Sequence, residues 1–343
     1  MAQHLETAFT SLLNINYPII GAPMFLVSNE DMVVNISEAG AIGTIPSLNF
    51  RPADEFRNAL GRIKKRTSKP IGVNLIVNKS NTRQQEDLKA CLDHGVELYI
   101  TSLGNPKTVI EEAHKQGTKV FCDVTNLEHA KKVQDLGADG VIAVGQGAGG
   151  HAGPITPLVL IPWLKAELNI PIVAAGGIAN GQTMAAALAL GASAVHVGTR
   201  FIASQEARSV GDEYIDAIVD SSPEDIVLSD RVSGTPCNFI RTEYFEQVSE
   251  NMPFLLREMK KHPISKKYVV PAIHYLGMKA LEKSVGEKPD RKKFGVPGKP
   301  WASSQKLKPA NKSLTILSKS IKTSEKSTLR KSSKRKSCIS SSH

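Results

Sequence analysis

The sequence predicts an α/β fold of the closed (β/α)8 barrel type, followed by a C-terminal helical cap subdomain and a disordered basic tail. Three observations carry this reading. Eight short apolar runs recur along the chain, each followed by a loop and a helical pattern. The runs are nearly continuously hydrophobic rather than alternating, as parallel strands covered on both faces require. Glycine also stands where the intervening helices should stop, at Gly40, Gly95, Gly117, Gly137 and Gly191. There it supplies the left-handed residue that ends a helix at little cost. Eight β-then-α units in a row favour a closed barrel, with an open doubly wound sheet as the alternative.

The first strand is expected at 17–20 and runs into GAPM (21–24), where Pro23 fixes the backbone and Met24 offers a soft apolar surface. The second is expected at 41–45. The third, at 71–77, places Asn74 between apolar neighbours. A buried Asn must find partners, either backbone groups or the polar edge of a flat heterocycle. The fourth strand, 98–101, leads into SLGNP (102–106), a further wall of the same pocket. The fifth and sixth are expected at 119–123 and 140–144, and the seventh and eighth at 172–175 and 194–197. The segments GADGVIAVG and GASAVHVGT read as two copies of one helix-end-plus-strand unit. Residues 204–285 read as helical and mixed, without a ninth β-α unit. The expected organisation is therefore a barrel over 1–203, the last barrel helix plus cap over 204–305, and a tail over 306–343.

In such a barrel, function lies in the loops after the strands, and phosphate groups settle on those after strands seven and eight. AAGGIANG (174–181) and GTRF (198–201) occupy those two places. Gly176, Gly177 and Gly198 remove side chains so that backbone N–H groups can approach an anion, and the Thr199 hydroxyl adds a donor. The bland reading, tight turns only, is weakened because both expected positions carry the pattern. It is not the dinucleotide GxGxxG fingerprint. The loop after strand six, GQGAGGHAGP, holds five Gly in nine residues. Its His151 can act as acid, base or anion-binding donor near neutral pH. His196, within strand eight, reads as a barrel-interior residue. No His/carboxylate cluster on these loops resembles a metal site.

Charge is unevenly spread. The net charge is +10, and residues 306–343 hold eleven Lys/Arg against Glu325 alone, leaving 32 basic and 32 acidic residues for the rest. The body is therefore not a basic nucleic-acid-binding surface; only the tail could touch nucleic acid, and weakly. Four scattered cysteines without CxxC spacing fit a reducing, cytoplasmic setting. The N-terminus carries no signal-peptide pattern. The charge-free stretch 168–199 is broken by Pro171 and several glycines, so no membrane span is expected.

Together GAPM, GVNLIV, GNP, AGGHAG, AAGGIANG with GASAVHVGTRF, and WASSQ resemble the nitronate monooxygenase family, formerly 2-nitropropane dioxygenases. They are similar too to the related flavin-dependent enoyl-acyl-carrier-protein reductases. The resemblance spans roughly residues 10–305. It implies FMN without a metal, and a reaction in which an alkyl nitronate and dioxygen give a carbonyl compound and nitrite. It implies that Pro23, Met24 and Asn74 neighbour the flavin ring. Ala175, Gly176, Gly177, Gly198 and Thr199 would hold the phosphate, and His151 would be the catalytic residue. The chain departs from the family pattern at Val144, Gly147, Ala152 and Ser304. A homodimer is compatible with this reading. The alternatives are an NAD(P)H-dependent enoyl reductase and a non-catalytic phosphate-binding barrel.

Overall fold

Short strands that are apolar on both faces must pair side by side under a cover of helices, and here they pair into a ring. The computed structural model describes residues 5–78, 81–207, 210–231, 235–250 and 273. In chain order the first elements are α1 (Ala8–Leu13), β1 (Ile19–Gly21), α2 (Glu30–Glu38), β2 (Ile42–Pro46), α3 (Ala53–Arg66), β3 (Ile71–Ile76), α4 (Gln84–Asp93) and β4 (Leu98–Ser102). Then come α5 (Lys107–His114), β5 (Lys119–Val124), α6 (Leu127–Asp135), β6 (Gly140–Val144), β7 (Gly150–His151) and α7 (Pro157–Glu167). Next are β8 (Ile172–Ala175), α8 (Gly181–Ala189), β9 (Ala194–Val197) and α9 (Thr199–Ile202). The last described elements are α10 (Asp212–Asp220), β10 (Ile226–Ser229), β11 (Cys237–Ile240) and α11 (Glu243–Glu250).

Strands β1 to β6, β8 and β9 form a closed barrel, all parallel, as expected. Closure is the pairing of β1 with β9, where Ile19 faces Val195 and Gly21 faces Val197. The helices start and stop where local chemistry says they should. Asn29, Asn126 and Asn180 accept backbone N–H bonds at the starts of α2, α6 and α8. The five glycines expected to end helices all have positive φ, from 59° at Gly95 to 106° at Gly191.

Strand residues alternate between two apolar compartments. Ile71, Val73 and Leu75 of β3 point outward and pack with Phe56, Leu60 and Ile63 of α3. Ile42, Leu98, Ile100, Phe121, Ile142, Val173 and Ala194 point into the lumen, joined by Phe9 and Leu13 of α1. Ile42, Leu98 and Ala194 open their strands, so this lumen core lies at the N-terminal end of the barrel. The Phe9 ring meets Phe121 edge-on, with centroids 5.4 Å apart and planes at 87°. Helix α1 thus stoppers the barrel from below, leaving the C-terminal mouth for chemistry.

The segment after residue 203, expected to be helical, does contain α10 and α11. It also contributes strands. β10 pairs antiparallel with β11, and β11 pairs antiparallel with β7, making a small three-stranded sheet. The cap reading beyond residue 250 and the tail reading lie outside the described residues. The charge-free stretch 168–199 divides into β8, α8 and β9, and no helix among the described residues is long and apolar enough to cross a membrane.

Candidate functional site at the barrel mouth

At the C-terminal half of the lumen the apolar filling gives way to polar side chains. The same alternation that sends Leu98 and Ile100 inward sends Ser102 inward, and likewise Asn74, Asp123 and His196. Asn74, 7% exposed, donates from Nδ2 to the Ile100 carbonyl at 3.2 Å and to Ser102 Oγ at 2.7 Å. Ser102 donates in turn to Asp123 Oδ2 at 2.5 Å. Asp123 Oδ1 is shielded from solvent and has no hydrogen-bond partner among the described residues. Burial pushes the Asp123 carboxyl up to about 6, against the Ser102 hydrogen bond, which lowers it. Across the lumen on β9, His196 Nε2 is also buried without a partner among the described residues, and burial lowers that imidazole to about 4. His196 is therefore neutral near pH 7. The interior reading of His196 from sequence agrees with its place on the strand.

Above this floor sit the glycine loops. Gly176 and Gly177 follow β8 with φ of 110° and 73°. A Cβ on Gly176 would lie 2.6 Å from the Ala148 amide nitrogen, so the loops after β6 and β8 touch backbone to backbone. A Cβ on Gly177 would meet nothing within 4 Å. The Gly177 N–H, expected to face an anion, instead donates to the Gly147 carbonyl at 3.0 Å. That bond locks the two loops together. Gly198 lies beside Met24, whose sulfur would be 3.7 Å from a Cβ there, so the loop after β1 abuts the loop after β9. Thr199 is exposed, and its hydroxyl would lie 3.2 Å from a Cβ on Gly149. Pro23 is half-buried and Ala175 buried.

His151 lies on β7 and is exposed. Its strand partner is Cys237, so the cap sheet, not the barrel, sets its backbone. Asn238, next along β11, donates from Nδ2 to the carbonyls of Gln146 at 2.7 Å and Ala148 at 2.8 Å. These bonds pin the His151 loop to the cap sheet. The structure thus brings the residues after β1, β6, β8 and β9 into one rim, with Asn74 on the floor. Asp123 and Asn238 escaped the sequence reading. An acid closing an otherwise apolar strand is a signal that could have found Asp123; nothing in CNFI flags Asn238.

The rim suits a phosphate-bearing flat cofactor such as a flavin mononucleotide. No Asp or Glu occurs from residue 168 to 199, so an anion there meets no carboxylate on these loops. Bare glycine backbone and the Thr199 hydroxyl line that side, and Ala22, Pro23, Met24 and Ala175 give apolar wall. No group of His, Cys, Asp and Glu that could hold a metal occurs among the described residues.

The sequence pattern of the nitronate monooxygenase family matches residues 6–90 and 82–288. The chain belongs to that family. A probable nitronate monooxygenase of Staphylococcus saprophyticus is 30% identical over 291 residues, covering 72% of this chain and 81% of its own. A Rhodococcus jostii protein, (3aS,4S,5R,7aS)-5-hydroxy-7a-methyl-1-oxo-octahydro-1H-indene-4-carboxyl-CoA dehydrogenase, is 33% identical over 239 residues, 70% of this chain and 67% of its own. Among solved structures, FabK of Thermotoga maritima superposes with a TM-score of 0.77 at 33% identity, covering 95% of this chain and 99% of that one. Family membership makes the protein a flavin-dependent oxidoreductase acting on a small molecule.

Proposed function

We propose that the protein binds FMN at the barrel mouth and oxidises alkyl nitronates with dioxygen to carbonyl compounds and nitrite. The observation that carries this is the interlock of the loops after β6 and β8. It joins an acid-free phosphate cradle to the loop bearing His151. Gly176, Gly198 and Thr199 would hold the ribityl phosphate, with Gly177 fixing their loop through its bond to the Gly147 carbonyl and Ala175 behind them. Pro23, Met24 and Asn74 would border the ring. FMN, when bound, supplies the electron transfer between substrate and dioxygen.

The chain's own residues then bind, orient and move protons. A nitroalkane entering over the rim meets His151, whose ring nitrogen takes the proton from the carbon bearing the nitro group. A nitronate arrives already deprotonated and needs no base, only orientation over the ring. The Met24, Pro23 and Ala175 surfaces exclude water from the opposite side, and the neutral His196 adds no charge beneath.

The test separates the two roles of His151. His151→Asn should reduce turnover of neutral nitroalkanes by about 100-fold or more while leaving pre-formed nitronates within a few-fold, since general base catalysis contributes roughly 10²–10⁴. Equal loss on both substrates assigns anion stabilisation instead. No loss on either, with flavin retained, removes His151 from the chemistry.

A second reading rests on the 33% identity to the CoA dehydrogenase and to FabK. On that reading the site would hold a flavin that lets NAD(P)H reduce the C=C bond of an enoyl thioester. Anaerobic mixing decides: bleaching of the yellow protein by a nitronate supports the first reading, and bleaching by NADPH supports the second. A purified protein without colour supports a non-catalytic phosphate-binding barrel.

A further inference from the structure

Both protons of the Asn74 amide nitrogen are spent on the barrel wall, one on the Ile100 carbonyl at 3.2 Å and one on Ser102 Oγ at 2.7 Å. A backbone carbonyl only accepts, so the amide cannot be turned the other way. Ser102, having accepted from Asn74, gives its own proton to Asp123 Oδ2 at 2.5 Å. A carboxylate only accepts, which fixes the direction of that bond too. The three side chains form a one-way line of donors across β3, β4 and β5 that ends on Asp123. By elimination the atom Asn74 has left for the mouth is Oδ1, an acceptor to which no described residue donates.

We propose that Ser102 and Asp123 are positioning residues that hold Asn74 with Oδ1 facing the cofactor, so that the site accepts a hydrogen bond from the N3–H of the flavin ring. The inference rests on the flavin reading above and adds what the floor of the site recognises. The oxidised isoalloxazine offers acceptors at N1, O2, O4 and N5 but a single ring N–H, at N3. A wall group locked as an acceptor therefore recognises one edge of the ring. An Asn free to rotate would offer nitrogen or oxygen alike and would recognise none. The line has the same polarity throughout the range where Asp123 is ionised, above about pH 6.

Full-length apo-protein is titrated with FMN and with 3-methyl-FMN, in which a methyl replaces the N3 proton, following the quenching of flavin fluorescence. The wild type should prefer FMN by roughly tenfold or more, the worth of one hydrogen bond to a buried group. In Ser102→Ala and Asp123→Leu that ratio should fall at least threefold. In Ser102→Thr and Asp123→Asn, which keep the hydroxyl and an accepting oxygen, it should persist. A merely structural role weakens both flavins equally and leaves the ratio unchanged. An unchanged ratio in Ser102→Ala, or no preference in the wild type, overturns the proposal. Ser102→Ala carries the test if Asp123→Leu does not fold. If the wild type binds no FMN, the flavin reading itself falls and takes this inference with it; FMN binding with an unresponsive ratio sinks this inference alone.

Discussion

Replacing Gly176 by alanine asks whether the interlock between two loops is a structural necessity. The added Cβ would sit 2.6 Å from the Ala148 nitrogen and 2.9 Å from the Gly147 carbonyl carbon, both backbone atoms that no rotamer change can move aside. At φ 110° the alanine is strained as well. Overpacking costs about 1–3 kcal/mol and the unfavourable backbone about 1–2 kcal/mol more, so the loss is roughly 2–5 kcal/mol. Relief by backing away would break the turn in which Ala148 N–H donates to the Gly145 carbonyl, and would drag on the Asn238 bond to the Ala148 carbonyl. Gly177 is the matched control. Its φ is 73°, but a Cβ there meets nothing within 4 Å, so alanine costs about 1 kcal/mol of backbone strain alone. In a barrel of this size, thermal unfolding should shift by about 2–4 °C per kcal/mol. Melting of both variants, with FMN occupancy read by absorbance, should show Gly176→Ala losing roughly 5–15 °C and most of its flavin. Gly177→Ala should lose only a few degrees. Equal losses, or a worse Gly177→Ala, would refute the reasoning from close approach.

Four further outcomes are expected. Asn238→Ala removes two bonds to loop carbonyls and should cost about 1–3 kcal/mol locally; steady-state kinetics should show kcat/KM falling with flavin content kept. His196 is lowered from 6.5 to about 4, so its contribution is present above pH 6.5 and lost as pH falls through 4. Urea unfolding of His196→Gln should therefore show up to ~3 kcal/mol less loss between those values than the wild type. Asp123 runs the opposite way: raised from 3.8 to about 6, it stabilises fully below 3.8 and loses that as pH rises through 6. Asp123→Asn should thus gain up to ~3 kcal/mol at pH 8 and nothing below pH 4. Finally, residues 306–343 carry the whole net charge and none of the site residues, so truncation after Leu307 should leave flavin binding intact by equilibrium dialysis.

The barrel was legible because its chemistry is written in every strand. A strand covered on both faces must be apolar at each position, and the eight runs read from sequence match the observed strands to within two residues at either end. β6, β8 and β9 match at both ends. The cap sheet was illegible for the converse reason. Ile226 and Leu228 of β10 are 46% and 52% exposed, and β7 is a Gly-His pair with no strand preference of its own. Such a pair becomes a strand only because β11 lies beside it. The rim glycines announced themselves by position, but the use of the Gly177 N–H on Gly147 could not be read from either segment separately. Asp123 was present in the fifth strand as its terminal residue, and its inward direction follows from the period of two; its link to Asn74 needs the barrel's curvature, which no local pattern carries.

The stopper at the base of the barrel sets a schedule for synthesis. Helix α1 is made before every strand of the barrel, yet the seat that receives Phe9 and Leu13 is built from strands as late as β9, which contributes Ala194. The ring itself shuts only when β9 reaches β1. At about 5–20 residues per second, the ribosome needs roughly 10–40 s to travel from the one to the other. During that interval an apolar helix made early has no home, and its large side chains face water or whatever protein is nearby. Helix α1 is accordingly a place where a chaperone would take hold while the barrel is unfinished, and a slowed ribosome would lengthen its exposure.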